Sequence, residues 1–138
     1  MHKFHMIIGL LLFAAVAGCT GQKIPEKAQT QYYDVSVAQA KDMIDRGEVF
    51  ILDVRRQDEF DAGHINGAML LAVQDIPAQE LNTKLQSLPS DRKILVYCRS
   101  GRRSALASDI LVKNGFSQVY NMKEGIDSWI NAGYPTVK

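Results

Sequence analysis

Cysteine is scarce in this chain, with two in 138 residues. That excludes the disulfide framework that holds many small exported domains together. Neither sign of charge is in excess, at 16 Lys+Arg against 15 Asp+Glu. A broad basic surface for nucleic acid is therefore excluded. Four prolines and ten glycines are too few for a fibrous or low-complexity chain. There are no internal repeats and no His/Cys cluster with metal-ligand spacing, so neither a metal nor a cofactor is expected. The longest apolar stretch, residues 6–17, falls short of the ~20 residues that a spanning helix needs. What remains is a globular composition, long enough for one domain with a real core.

The amino-terminal segment stands apart. Met1-His-Lys-Phe-His5 is basic, and the apolar stretch after it ends in Val16-Ala17-Gly18-Cys19. A basic head, an apolar middle and small residues at the end describe a secretory signal. Its last residues resemble the lipobox of bacterial lipoprotein signals. The resemblance implies cleavage before Cys19, diacylation of its sulfur and acylation of the new amino terminus, which together anchor stably in a bilayer. The plainer alternative is an ordinary secreted chain with an incidental Cys19. The expected organisation is a cleaved signal over 1–18, a lipidated cysteine and polar tether over 19–30, and a folded domain over 31–138. The protein is then expected on the periplasmic side, anchored to a membrane. Thr20, where an Asp would resemble an inner-membrane retention signal, favours the outer one. Loss of residues 1–18 removes Lys3 and no acid, leaving 15 charges of each sign. Lipidation of Cys19 also leaves Cys98 without a partner in the chain, and an odd cysteine in an exported protein suggests a reactive thiol.

From residue 31 the pattern is regular. Residues 32–35 read as a short strand. Ser36 with Gln39 forms a capping box, and Val37, Ala40, Met43 and Ile44 recur at helical spacing up to Gly47. Residues 49–52 and 94–97 are continuous apolar runs of strand length, suited to burial on both faces. Residues 68–71 and 119–120 read as shorter strands. Residues 56–61 read as a short polar helix or turn, and helices are expected from Pro77 through 85, over 104–113 with Leu106, Ile110 and Leu111 as its apolar residues, and over 124–131. Trp129 and the tyrosines read as core. Alternating strands and helices predict an α/β fold with a mainly parallel central sheet covered on both faces. Ligands of such folds bind beyond the carboxyl ends of strands, where Asp53 and Cys98 both fall.

The run Lys93-Ile-Leu-Val-Tyr-Cys-Arg-Ser-Gly-Arg-Arg-Ser104 concentrates the chemistry. An apolar strand delivers Cys98 into a loop of Arg99, Ser100, Gly101, Arg102 and Arg103, and a helix follows. Gly101 lets successive N–H groups turn inward, the helix directs its positive end at the loop, and the arginines add permanent charge. All three favour thiolate over thiol. The bland reading is a buried cysteine ending a core strand. The arginine- and glycine-rich loop argues instead for a reactive thiolate in an anion cradle.

At these residues the chain resembles the rhodanese family. The resemblance runs from Tyr33 to Lys138 and is carried by Ile51-Leu-Asp-Val-Arg55, Glu59-Phe60, Gly63-His-Ile65, Gly67-Ala68, Val96-Tyr-Cys-Arg-Ser-Gly-Arg-Arg-Ser104, and Gly125 through Trp129, Gly133 and Pro135. Asn66 stands where many members have proline, and Leu70-Leu71-Ala72 replaces a common Asn-Ile-Pro. The resemblance implies a single domain with a parallel five-stranded sheet. It also implies transfer of sulfane sulfur through a Cys98 persulfide, from thiosulfate or a persulfide donor to cyanide or a thiol. An unidentified protein acceptor is a further candidate partner. The family loop has six residues, here Cys98 to Arg103, whereas related phosphatases and arsenate reductases use a longer Cys-X5-Arg cradle. Here Ser104 stands six after the cysteine, which favours sulfur over phosphate or arsenate. A persulfide carrier or oxidant sensor with little turnover is the other alternative. Arg102 is expected to steer an anionic donor, with Arg103 the alternative contact or else a brace for the loop. Asp53 and Arg55 are expected to support the loop, as is Ser104. Glu59 is read as a partner for a nearby arginine or backbone group, and His64 as a hydrogen-bonded structural residue.

Overall fold

The structure, a computed structural model, describes residues 31–138. The expected signal and tether, with Cys19, therefore lie outside the described residues. The elements run β1 (Tyr33–Val35), α1 (Val37–Asp45), β2 (Val49–Asp53), α2 (Gln57–Ala62), β3 (Met69–Leu70), a 3-10 turn (Val73–Asp75), α3 (Ala78–Leu85), β4 (Lys93–Tyr97), α4 (Arg102–Lys113), β5 (Val119–Met122) and α5 (Gly125–Asn131). The five strands form one sheet in the order β1-β5-β4-β2-β3. Every pairing is parallel.

Alternation along the central strands builds two cores. On β4, Ile94 and Val96, then Cys98 just beyond, face one side with Leu52, Val54 and Val119. There they meet Ala107 and Leu111 of α4, and Leu85 at the end of α3. Leu95 and Tyr97 face the other side with Val49, Ile51 and Met122, against Ala40 of α1 and Ile126 and Trp129 of α5. The continuous apolar runs are thus explained: each residue of a central parallel strand meets a helix layer on one face or the other.

The helix boundaries have local causes. Ser36 Oγ accepts the Gln39 N–H at 3.1 Å while Gln39 Oε1 accepts the Ser36 N–H at 2.9 Å, the expected capping box. Helix α4 begins at Arg102, two residues before the expected start, because Gly101 takes a φ of 98° and turns the chain straight into the helix. The 3-10 turn after β3 has no periodic signature in the sequence. Two residues expected in the core are not there: Tyr33 is exposed and stacks on Tyr120, and Leu106 is 56% exposed. Leu111 is fully buried, so the apolar face of α4 is narrower than its leucine count suggests.

The connection from β2 leads to β3 at one edge, and the connection from β4 leads to β5 on the other side. Between β2 and β4 the chain therefore diverges, which opens a crevice beyond their carboxyl ends. Asp53 pairs in register with Tyr97, so it lies at the same end of the sheet as Cys98. Alternation places their side chains on opposite faces, and Asp53 serves the site from beneath.

Candidate active site

Cys98 continues the buried face of β4 and is 1% exposed, at the foot of the loop. The loop's carbonyls are turned outward by specific partners. The Cys98 carbonyl accepts the Ile126 N–H at 2.9 Å, and the Arg99 carbonyl accepts the Asp127 N–H at 3.2 Å. The Gly101 carbonyl accepts the Ala105 N–H at 3.1 Å, and the Ser104 hydroxyl lies 3.1 Å from the same oxygen, able to turn its single hydrogen to that carbonyl or to the Cys98 sulfur. With these three carbonyls engaged outside, the loop turns N–H groups toward the sulfur, and the Gly101 N–H donates to Cys98 Sγ at 3.1 Å.

Two glycines make this seating sterically feasible. A Cβ on Gly101 would collide with the Lys123 carbonyl, and one on Gly125, at φ 70°, would collide with the Arg99 carbonyl. The turn from β5 into α5 is thus packed directly against the cysteine loop. The electrostatic result is a thiol with a lowered pKa. Burial pushes it up, but hydrogen bonds from the Ser104 side chain and from the backbone of Ser104, Gly101 and Ser100 outweigh burial and bring it below that of an ordinary cysteine.

The three loop arginines have different surroundings. Arg103 turns back, with Nη1 donating to Glu59 Oε2 at 2.7 Å and Nη2 to Glu59 Oε1 at 2.8 Å. It braces the loop, and Glu59 is its partner, as one of the two sequence readings had it. Glu59 Oε2 also accepts the Arg56 N–H at 3.0 Å, tying the start of α2 to the loop. Arg99 is exposed and meets Asp127 only at 3.7 Å. Arg102 is exposed and has no ion-pair partner among the described residues.

Beneath the loop, Asp53 and Arg55 form a buried fork. Arg55 Nε and Nη2 donate to Asp53 Oδ2 at 3.0 and 2.7 Å, and Nη2 also reaches the Gly63 carbonyl at 2.7 Å. Tyr97 is buried alongside, accepts the Ile65 N–H at 3.1 Å, and has its pKa raised by burial and by the Asp53 carboxylate. These residues hold the β2 and β4 ends together and do not line the cleft above the thiol. His64 is structural too, with Nδ1 3.0 Å from the Phe60 carbonyl and its ring stacked on Phe60.

Above the loop lies a cleft of about 540 Å³ whose walls include Arg56, Gln74, Asp75, Arg99, Ser100 and Arg102. Arg56, Gln74 and Asp75 were not among the residues singled out in the sequence. Gln74 Nε2 donates to the Val54 carbonyl at 2.8 Å, so the 3-10 turn is pinned beside the loop after β2. A polar pair in a connection carries no periodic or motif signal, and only the packing of that turn on α4 brings it to the site.

The Glu59–Arg103 pair has a pH signature. The Arg103 guanidinium, first, and the Arg56 N–H hold the Glu59 pKa down, to about 2 from 4.5. A depressed carboxylate contributes stability that is complete above its unfolded pKa and is lost as pH falls through the folded one. The contribution is therefore present above about pH 4.5 and disappears toward pH 2. Urea denaturation between these limits is expected to show a flatter pH dependence in Glu59→Gln than in the wild type. Parallel curves would mean that the pair does not stabilise the loop.

Among the described residues no helix is long and apolar enough to cross a membrane. Residues 36–132 match the family model of the rhodanese-like domain. A sulfurtransferase of Allochromatium vinosum is 34% identical over 95 residues, covering 69% of this chain and 84% of that protein. A thiosulfate sulfurtransferase GlpE of Coxiella burnetii is 31% identical over 105 residues, covering 76% of this chain and 92% of that protein. A crystal structure of a rhodanese-related protein from Thermoplasma volcanium is similar at a TM-score of 0.65 and 34% identity, covering 77% of this chain and 98% of that one. The matched span runs from the cap of α1 to the residue after α5 and includes the whole cysteine loop, so this chain belongs to the rhodanese-like family, several of whose similar members are named sulfurtransferases.

Proposed function

We propose that the protein moves sulfane sulfur from an anionic donor, such as thiosulfate or a persulfide, to cyanide or a thiol through a persulfide on Cys98. The observation that carries this reading is the Gly101 N–H on Cys98 Sγ at 3.1 Å, within a loop whose Cys98, Arg99 and Gly101 carbonyls are engaged outside the cradle. In the first step the Cys98 thiolate attacks the outer sulfur of thiosulfate. A new S–S bond forms, the old one breaks, and its electron pair leaves with sulfite. The loop N–H groups face the terminal sulfur, which now carries the negative charge. In the second step cyanide attacks that sulfur, the S–S bond to Cys98 breaks, and thiocyanate leaves while the thiolate is restored. One difficult transfer becomes two easier ones. No general base is needed, because hydrogen bonding already favours the thiolate.

Arg99 and Arg102, exposed on the cleft, supply the positive field that attracts the donor. Arg103 is engaged with Glu59 and contributes by holding the loop. The protein as proposed acts on the periplasmic side of a membrane, anchored by acylated Cys19. That part of the reading rests on residues 1–19 alone.

Mass spectrometry of the protein after incubation with thiosulfate tests the mechanism. One added sulfur atom is expected on the wild type and none on Cys98→Ala. No adduct from thiosulfate or from any of several persulfide donors would overturn the reading. A stable adduct without turnover to cyanide or thiols would make the protein a sulfur carrier. The same spectrum, on protein isolated from membranes, reads the acyl chains expected on Cys19.

A further inference from the structure

The cleft over the loop is larger than a small donor requires. Its volume is about 540 Å³, whereas a water molecule takes up about 30 Å³ and thiosulfate only a few times that. Beyond its rim is a second hollow of about 460 Å³, lined by Tyr32, Arg102, Ala105, Leu106 and Asp109. The two share Arg102 and Leu106, so they form one surface leading away from the thiol. A single exposed leucine is unremarkable on a protein surface. This one is 56% exposed, sits one helical turn after Arg102, and separates a reactive loop from a hollow lined by a tyrosine ring and an alanine. The charges here are unequal in availability. Asp109 is held by Lys113 at 2.6 Å, whereas Arg102 has no ion-pair partner among the described residues.

We propose that this surface docks a cysteine-bearing segment of a partner protein, with an acidic side chain on Arg102 and an apolar one in the hollow over Leu106 and Tyr32. The proposal rests on the sulfurtransferase reading and names the acceptor class for it. One turn of helix separates Arg102 from Leu106, about 6 Å, which two residues of an extended segment span. The partner's thiolate attacks the outer sulfur of the Cys98 persulfide. The S–S bond to Cys98 breaks, its electron pair returns to the Cys98 sulfur, and the partner leaves as the persulfide.

The test uses the full chain loaded with sulfur from thiosulfate and three short capped peptides as acceptors. Two carry Cys-Asp-Ser-Leu in forward and reversed order, and the third is a Cys-Ser-Ser-Ser control. For the wild type, kcat/KM for at least one Asp/Leu peptide is expected to exceed the control by about tenfold or more, the effect of desolvating one leucine and pairing one charge. Leu106→Ser, which removes the apolar contact without placing a carboxylate beside Arg102, is expected to cut that preference at least about threefold and to leave turnover with cyanide within about twofold of the wild type. Leu106→Met is expected to retain it. Equal rates for all three peptides would overturn the docking proposal, as would an equal loss of cyanide turnover in Leu106→Ser. Absence of turnover with cyanide and with every peptide in the wild type would instead strike the sulfurtransferase reading itself. A dimer that Leu106→Ser dissolves would show a second copy on the surface and would also overturn the proposal.

Discussion

Replacing Cys98 by alanine is expected to lower thiocyanate formation from thiosulfate and cyanide by at least about a thousandfold, because the covalent route has no other nucleophile. The protein should remain folded. Cys98 is buried in the core face shared with Ile94 and Val96, and loss of its sulfur leaves a small void, costing on the order of 1 kcal/mol. Cys98→Ser is expected to be equally inactive. It preserves size and hydrogen bonding, but a hydroxyl has no accessible anion and forms no persulfide. Steady-state turnover alongside a urea melt separates chemistry from folding. Residual activity within tenfold of the wild type in either variant would remove Cys98 from the mechanism. The pH profile adds a second readout: wild-type turnover should begin to fall at a lower pH than the titration of an ordinary thiol, because Ser104 and the loop N–H groups favour the thiolate.

Asp53→Asn should destabilise the fold by about 3–5 kcal/mol, the cost of stranding one partner of a buried ion pair. Asp53 is fully buried and Arg55 nearly so. The asparagine retains one acceptor oxygen but loses the charge, and its amide hydrogens confront the guanidinium. The damage is amplified because Arg55 also holds the Gly63 carbonyl, and Tyr97 meets both Asp53 and the Ile65 N–H. A fall in melting temperature of roughly 10 °C or more follows from that loss. Thermal melts at constant pH would show it, and a change below about 1 kcal/mol would mean that the fork is replaceable. The double replacement Asp53→Asn with Arg55→Met is expected to cost less than the sum of the two singles, since no unpaired charge stays buried.

Much of this architecture was legible because it is written in local terms. Buried parallel strands require unbroken apolar runs, and both central strands show them. A capping box and a glycine announced the ends of α1. The loop after β4 combined a cysteine, a glycine and three arginines at a strand-to-helix junction, and its length distinguished sulfur from phosphate as the expected cargo. What could not be read there depends on which distant surface a side chain meets. Glu59 and Arg103 are far apart in sequence and form the brace of the loop only because α2 packs beside it. Gln74 and Asp75 reach the cleft because the turn that carries them lies against α4. Leu106 has the same character as Leu111 on the page, yet one is buried and the other faces solvent beside the cleft.

The amino-acid sequence by itself determined the parallel α/β framework, the place of Cys98 at a strand end, and the chemistry available to a thiolate in a six-residue arginine- and glycine-rich loop. Hydrophobic periodicity, capping and glycine conformations act over a few residues and are therefore visible there. Only the tertiary structure decided which arginine braces and which remain available, that Asp53 and Arg55 work from beneath, and which surface leads away from the sulfur. Those outcomes are set by burial and hydrogen-bond competition among residues that adjoin only once the sheet and its helices have packed.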